Sequence, residues 1–204
     1  MRLKIFGTQI EITFLFVVII SFMIISDTTH TALFVLVSAF IHELGHLIAM
    51  KRLGYKVKSI ILSPIGASIV KSDSSGSYKS DIIISLCGPL ANLILSLVLL
   101  MGFLILKHQI LLLYSLINLF LGIFNLLPIA SFDGSTILLS ILCERMEENR
   151  AVKIKRVISI TLLTVLSVAG IIFFCFCNKN PTLMITALYM LILEFFELNI
   201  LKNN

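Results

Sequence analysis

The 204-residue chain is 58% hydrophobic and only 13% charged, with a formal net charge of +5. A soluble globular domain has about a quarter charged residues, and its core could not absorb apolar runs as long as those found here. The composition therefore indicates a membrane protein. We expect a single domain over residues 1–204 with no separate soluble domain, and basic residues that lie beside membrane spans rather than against a nucleic acid.

Six apolar runs approach the roughly 20 residues that a helix needs to cross a bilayer. In chain order they cover residues 10–26, 31–50, 82–106, 110–127, 157–177 and 182–201. This alternation leaves every Lys and Arg except Lys107 and Lys179 on the side of the N-terminus, which the positive-inside rule assigns to the cytoplasm. The sequence predicts an all-α polytopic membrane protein with about six transmembrane helices. Both termini are expected in the cytoplasm, and the Lys-, Ile- and Asn-rich composition is compatible with a bacterial cell membrane.

The second predicted span carries three ionisable residues in the pentad His42-Glu43-Leu44-Gly45-His46. Ionisable side chains are costly inside a bilayer and need a partner or a function there. Positions i and i+4 of a helix share one face, so both imidazoles can reach one metal ion. Glu43 would then fall near the open position of the metal, where it can take a proton from water. The alternative is a histidine pair that is hydrogen-bonded within a helix bundle.

The connection between the second and third spans is too apolar for a free loop and too short for two spans. Residues 55–72 read YKVKSIILSPIGASIVKS, two β-branched runs on either side of a Ser-Pro-Ile-Gly turn. This pattern predicts a pair of strands joined by a turn. Because non-helical backbone at membrane depth must be buried in protein or line a cavity, we expect a short membrane-associated β-hairpin.

A third metal ligand is expected, because a catalytic zinc site normally has three protein ligands and one open position. Asp133 lies in the segment 125–134, which follows the fourth span and reaches the membrane from the same side as the pentad. Pro128 is expected to end or kink the fourth helix, and Gly134 to allow a tight turn that aims Asp133 inward. Taken alone, Asp133 fits a loop or cap residue; taken with the pentad, it fits a ligand.

The last predicted span carries two carboxylates, Glu194 and Glu197, near its cytoplasmic end. Their spacing of three residues puts them on one side of a helix. Placement at the membrane interface is the simpler interpretation. A role in gating or in contacting a substrate is the alternative.

The chain resembles the site-2 protease family of intramembrane zinc metalloproteases, peptidase family M50, and more closely its stage IV sporulation factor B-like branch. The resemblance depends on H-E-L-G-H at 42–46, G-P-x-x-N at 88–92 and N-x-x-P-x-x-x-x-D-G at 125–134, core motifs that follow one another across residues 42–134. It implies that His42, His46 and Asp133 bind Zn2+ and that Glu43 is the catalytic base. Asn92 and Asn125 are the candidates for contacting the substrate or the oxyanion, and for both the alternative is a packing amide between helices.

This resemblance implies an intramembrane zinc endopeptidase that performs regulated proteolysis of a membrane-tethered protein or peptide near the cytoplasmic side. Its expected partners are that substrate, the lipid bilayer and regulatory membrane proteins, and its expected setting is sporulation, stress signalling or peptide maturation. One alternative is a CAAX-type membrane zinc protease, which shares H-E-L-G-H but uses a distant glutamate as third ligand. Another is a non-proteolytic membrane metal transporter or scaffold, and a transporter would need polar residues at several depths.

Overall fold

Helices make up most of the chain, and four short strands occur in its N-terminal part. The structure, a computed structural model, describes residues 2–5, 8–28, 31–63, 66–71, 76–130, 132–178, 184–192 and 194. The elements in chain order are β1 (Arg2–Ile5), β2 (Thr8–Ile12), α1 (Phe14–Ser26), α2 (Thr31–Arg52), β3 (Val57–Ser63), β4 (Gly66–Lys71), α3 (Tyr78–Leu106), α4 (Gln109–Asn125), α5 (Asp133–Cys143) and α6 (Glu148–Phe173). A π-helical turn, Phe174–Asn178, continues α6, and residues 184–192 are again helical.

The chain divides into two compact units, Met1–Leu126 and Leu127–Asn204. The first unit contains the sheet and α1 to α4, and the second contains α5, α6 and the helical residues 184–192. Buried apolar side chains of the second unit include Ile129, Ala151 and Leu163. The single domain expected from the sequence stays a prediction.

Three helices within the described residues are long and apolar enough to cross a membrane: Thr31–Arg52, Tyr78–Leu106 and Glu148–Phe176. The helices α1, α4 and α5 are apolar but shorter, at 10 to 17 residues. Many large apolar side chains on these helices face outward, as expected for lipid contact. The count of six spans stays a prediction. The sixth span, 182–201, falls partly outside the described residues, and Glu197 lies outside them.

A four-stranded sheet in the order β1-β2-β3-β4 joins the N-terminus to the connection between α2 and α3. The strands β3 and β4 pair antiparallel, with Ile60 opposite Ile69, where the sequence predicts a strand pair; the turn residues 64 and 65 lie outside the described residues. Where this pair lies relative to a membrane stays a prediction. The strands β1 and β2 are additional, and β2 pairs parallel to β3.

The first predicted span, 10–26, is shortened by the sheet: α1 begins only at Phe14 because residues 8–12 form β2. Thr13 joins the two elements. Its backbone N–H and its hydroxyl both donate to the carbonyl of Leu62, at 3.0 and 3.1 Å, while its Oγ1 accepts from the N–H of Phe16 as an N-cap.

The sheet is linked to the start of α3 by charged and aromatic contacts. Lys71 at the end of β4 forms an ion pair with Asp81 in the first turn of α3, and its ammonium lies 4.8 Å from the ring centroid of Tyr55. Ala49, Met50 and Ile84 form a buried apolar cluster between α2 and α3, and the sheet residues Val57 and Ile69 pack against it. The sheet therefore packs beside the C-terminal half of α2, which carries the pentad.

The helices α2 and α3 approach backbone to backbone at a glycine of the pentad. A Cβ atom added to Gly45 would lie 2.4 Å from the carbonyl oxygen of Cys87 and 3.0 Å from the Cα of Gly88. Gly122 of α4 approaches α3 less closely, since its Cβ would lie 3.0 Å from the Leu93 side chain and 3.1 Å from the carbonyl oxygen of Pro89. Small residues at such crossings are typical of helices that pack in a membrane.

We predict that Gly45→Ala destabilises the protein by about 1–3 kcal/mol, because the methyl group meets rigid backbone rather than a flexible side chain. Gly102→Ala in α3 is the matched control, since its Cβ would make only an ordinary contact of 3.5 Å with Leu111. Thermal unfolding of the detergent-purified variants measures both effects. Equal melting temperatures for the two variants would contradict the close approach of α2 and α3.

Candidate metal centre

The imidazole of His42 is oriented by a buried amide of α3. His42 Nδ1 lies 2.7 Å from Asn92 Oδ1, and Asn92 is completely buried. The amide orientation follows from the other end of the group: Asn92 Nδ2 lies 3.0 Å from the backbone carbonyl of Ser38, which can only accept. The oxygen of Asn92 therefore faces His42, so Nδ1 carries the proton and Nε2 is the nitrogen with a lone pair for a metal.

The imidazole of His46 is oriented by backbone instead. His46 Nδ1 lies 2.8 Å from the carbonyl oxygen of Ile84, one turn before Gly88 in α3. A carbonyl only accepts, so Nδ1 is again the protonated nitrogen and Nε2 carries the lone pair. Both histidines thus share the tautomer that metal-ligating histidines adopt when a second partner holds their other nitrogen.

The two Nε2 atoms converge. They lie 3.2 Å apart, and the rings meet edge to face with centroids 4.8 Å apart. Two nitrogens that bind one tetrahedral zinc ion at about 2.05 Å lie roughly 3.3 Å from one another. The spacing on α2 is therefore that of two ligands of one metal ion, and both side chains are buried.

The absence of a side chain at position 88 makes room for these rings. A Cβ at Gly88 would lie 2.3 Å from Nε2 of His46 and 2.9 Å from Nε2 of His42. Any other residue would collide with both nitrogens at once. In this structure α3 runs without a break through Pro89, so the Gly-Pro pair of the G-P-x-x-N motif does not end the helix. The glycine supplies space, and the asparagine one turn later supplies the hydrogen bond to His42.

A second asparagine, Asn118 of α4, extends the network and was not singled out from the sequence. Its Oδ1 accepts from Asn92 Nδ2 at 3.0 Å, and its own Nδ2 donates to the carbonyl of Tyr114 at 2.9 Å. Every bond in this series has one donor and one acceptor, and Asn118 is completely buried. The sequence does offer one indication of its role: Asn118 is an amide within an apolar helix, and such an amide usually has a hydrogen-bond partner on a neighbouring helix.

Both hydrogens of Asn92 Nδ2 are used, one by Ser38 and one by Asn118. This arrangement favours positioning of His42 over the expected contact with an oxyanion. Asn125, the last residue of α4, donates to the carbonyl of Leu121 in its own helix at 2.9 Å. A role for Asn125 at the substrate stays a prediction.

The two candidate carboxylates, Glu43 and Asp133, both lie on helices. Glu43 follows His42 in α2 and is half-buried. Asp133 is the first residue of α5 in the second unit and is also half-buried. The fourth helix ends at Asn125, before Pro128, as expected. Gly134, expected in a tight turn, is instead helical and buried within the first turn of α5.

Two buried imidazoles four residues apart on one apolar helix, with a carboxylate directly after the first, form a candidate metal centre of the H-E-x-x-H class. Comparison with known proteins also points to a metalloprotease. The model of peptidase family M50 matches residues 30–110 and 106–168, which together are more than half of the chain. The chain belongs to peptidase family M50.

Two curated relatives and one solved structure illustrate the similarity. A zinc metalloprotease of Methanocaldococcus jannaschii is 34% identical over 201 residues, an alignment that covers 92% of this chain and 57% of the relative. The solved structure of a site-2 protease from Methanocaldococcus jannaschii matches with a TM-score of 0.67 at 29% identity, covering 94% of this chain and 92% of that one. The chain spans little more than half the length of the curated archaeal relative, and 31% of a second relative from Synechocystis sp..

The cofactor that this family and these relatives imply is Zn2+. The residues present fit it: two buried imidazoles in the correct tautomer, with their Nε2 atoms at zinc-ligand spacing, and no side chain at Gly88 to obstruct them.

We predict that Asn92→Ala weakens zinc binding by about 10- to 100-fold, because His42 loses the partner that fixes its tautomer and ring orientation. Competition with a chromogenic chelator measures the affinity. Ser96→Ala is the matched control, since Ser96 is buried one turn further along α3 and bonds only to Ser115 in the contacts described here. If both variants retain wild-type affinity, the amide does not position the ligand.

Proposed function

We propose that this chain is an intramembrane zinc endopeptidase that cleaves a membrane-tethered protein or peptide. The observation that carries this proposal is the convergence of the two Nε2 atoms to 3.2 Å on a helix that also bears Glu43. Family M50 membership supports the same reaction class.

We further propose that His42, His46 and Asp133 together hold the ion. Two imidazole nitrogens and one carboxylate oxygen make a donor set that catalytic zinc sites use, with one position left for water or substrate. Asp133 also occupies the aspartate position of the N-x-x-P-x-x-x-x-D-G motif, which is the position that the family resemblance assigns to the third ligand.

The proposed mechanism assigns one task to each residue. When bound, Zn2+ supplies a Lewis acid that polarises the scissile carbonyl and lowers the pKa of water. Glu43 accepts a proton from the attacking water and delivers it to the leaving nitrogen as the peptide bond breaks. Asn92 does not touch the substrate in this scheme; it keeps His42 in the tautomer that binds metal.

The alternatives receive less support. The CAAX-type protease is not favoured, because the chain belongs to family M50 and has an aspartate motif at 125–134. A transporter needs metal donors at successive depths. The buried polar side chains of α3 and α4 are serines and asparagines rather than metal donors. Ser96 and Ser115, for example, each donate a hydroxyl hydrogen to the other's backbone carbonyl at 2.8 Å.

Several finer features belong to the same proposal. The M50 family is membrane-embedded, and we infer six spans, both termini in the cytoplasm, a bacterial cell membrane and regulatory membrane proteins as partners. The stage IV sporulation factor B-like branch is inferred from the motifs at 42–46, 88–92 and 125–134. The positive-inside distribution of Lys and Arg supports the orientation. The role in sporulation follows only from that branch.

We predict that Glu43→Gln retains zinc but loses at least about 100-fold in cleavage rate, because the amide cannot accept the proton from water. His46→Ala should instead lose zinc. Metal analysis and cleavage of a co-reconstituted tethered substrate separate the two effects. A fully active Glu43→Gln variant would refute the mechanism.

We predict that Asp133→Ala weakens zinc binding by more than tenfold, because one of three protein ligands is lost. Asp81→Ala is the control: Asp81 is likewise half-buried and lies in the first turn of its helix, so its removal costs the same type of dipole interaction, together with the ion pair to Lys71. Equal zinc affinities for the two variants would favour the cap role of Asp133.

A further inference from the structure

The second unit contains a buried carboxylate that the proposed mechanism does not use. Glu194 is only 4% exposed, and its Oε2 lies 2.8 Å from the hydroxyl of Ser159 on α6. Ser159 is completely buried, and its Oγ lies 3.0 Å from the backbone N–H of Ala130. Three segments of the unit therefore meet at one hydroxyl group.

The direction of these hydrogen bonds is fixed by chemistry. A backbone N–H can only donate, so Ala130 donates to Ser159 Oγ. The single hydrogen of that hydroxyl is then directed at Glu194 Oε2, which accepts. Removing the hydroxyl would leave both the N–H of Ala130 and the carboxylate without this partner, and such buried polar groups are costly.

Ala130 lies in the segment that leads into α5, only three residues before Asp133. This segment is held by a series of short-range bonds: Ile129 N–H to the Leu127 carbonyl at 2.8 Å, Phe132 N–H to Ile129 at 3.0 Å, and Ser135 N–H to Phe132 at 3.0 Å. Ile129 is itself almost fully buried. Asp133 is the first residue of α5, so a bond that anchors Ala130 acts within three residues of the start of that helix.

We propose that Ser159 and Glu194 are positioning residues that hold the Ala130 segment and thereby place the carboxylate of Asp133. A carboxyl group in an apolar helix is expensive and needs a specific partner or role. Here the partner is a hydroxyl that has already accepted a bond from the Ala130 backbone, so the pair fixes that segment. This inference depends on the proposed function of Asp133 as the third zinc ligand.

The test compares zinc affinity among variants of the full-length chain, purified in detergent and titrated with Zn2+ against a chromogenic chelator. Ser159→Ala and Glu194→Leu are expected to bind zinc about 10- to 100-fold more weakly, the usual effect of losing a residue that orients a ligand. Glu194→Gln should bind like wild type, because its amide oxygen accepts the same bond. The Co2+-loaded variants provide a second readout, since the visible spectrum of the ion responds to its ligand geometry.

Ser167→Ala is the matched control. Ser167 lies two turns further along α6 and is also buried, but its hydroxyl donates to the carbonyl of Leu163 within the same helix at 2.8 Å. Loss of a buried serine hydroxyl alone should therefore leave zinc affinity unchanged. Thermal unfolding of each metal-free variant shows whether stability was lost instead.

The outcomes separate this inference from the proposed function. If Asp133→Ala weakens zinc binding while Ser159→Ala and Glu194→Leu match Ser167→Ala, the positioning role is overturned and the ligand role stands. If Asp133→Ala binds zinc like wild type, the ligand role fails. If Ser159→Ala does not fold, the two variants of Glu194 decide the question. Weak zinc binding by Glu194→Leu with normal zinc binding by Glu194→Gln supports the positioning role, and equal zinc affinities for the two variants overturn it.

Discussion

The close approach of α2 to α3 is the constraint on which the metal centre depends. Gly45 admits the backbone of α3 at Cys87, and Gly88 gives both imidazoles the space in which they converge. Only at this separation can the carbonyl of Ile84 and the amide of Asn92 reach the Nδ1 atoms of the two histidines. A wider crossing would lose both hydrogen bonds and free the rings to rotate. The geometry of the two histidines therefore depends on how closely the backbones of α2 and α3 pack.

The bonds around the histidines form a network that crosses three helices. From Asn118 on α4 through Asn92 on α3 to His42 on α2, each group is buried and each donor has its acceptor. In an apolar environment such groups have no water to replace a lost partner, so a partly satisfied network is worse than none. Because helices of a membrane protein gain little from burying apolar surface against one another, these amides, the Ser96–Ser115 pair and the glycine contacts account for much of their specific association.

Much of this could be predicted from the sequence, and what could not has identifiable causes. The pentad at 42–46, the strands around residue 64 and the end of α4 before Pro128 carry strong local signals. The partner of His46 is a backbone carbonyl, which no residue type reveals. The partners of Asn118 and Ser159, which are Asn92 and Glu194, lie 26 and 35 residues away in the chain. A single polar residue in an apolar run does not indicate which distant residue it will contact. The strand β2 was hidden because its alternating Thr-Gln-Ile-Glu-Ile pattern overlaps the apolar run that follows.

The parallel pairing of β2 with β3 restricts how the chain can traverse a bilayer. Because β2 and β3 are hydrogen-bonded neighbours, the two strands lie at the same level relative to a membrane. The chain between them, α1 and α2, must then cross an even number of times: both helices span or neither does. At 13 residues α1 is only about 20 Å long, shorter than the hydrocarbon layer of about 30 Å. If α2 crosses fully, the short span of α1 has to be matched by a thinner bilayer beside it or by flanking residues that reach to the interface. The same parity puts the histidine-bearing end of α2, which leads directly into β3, on the membrane face that holds the first strand.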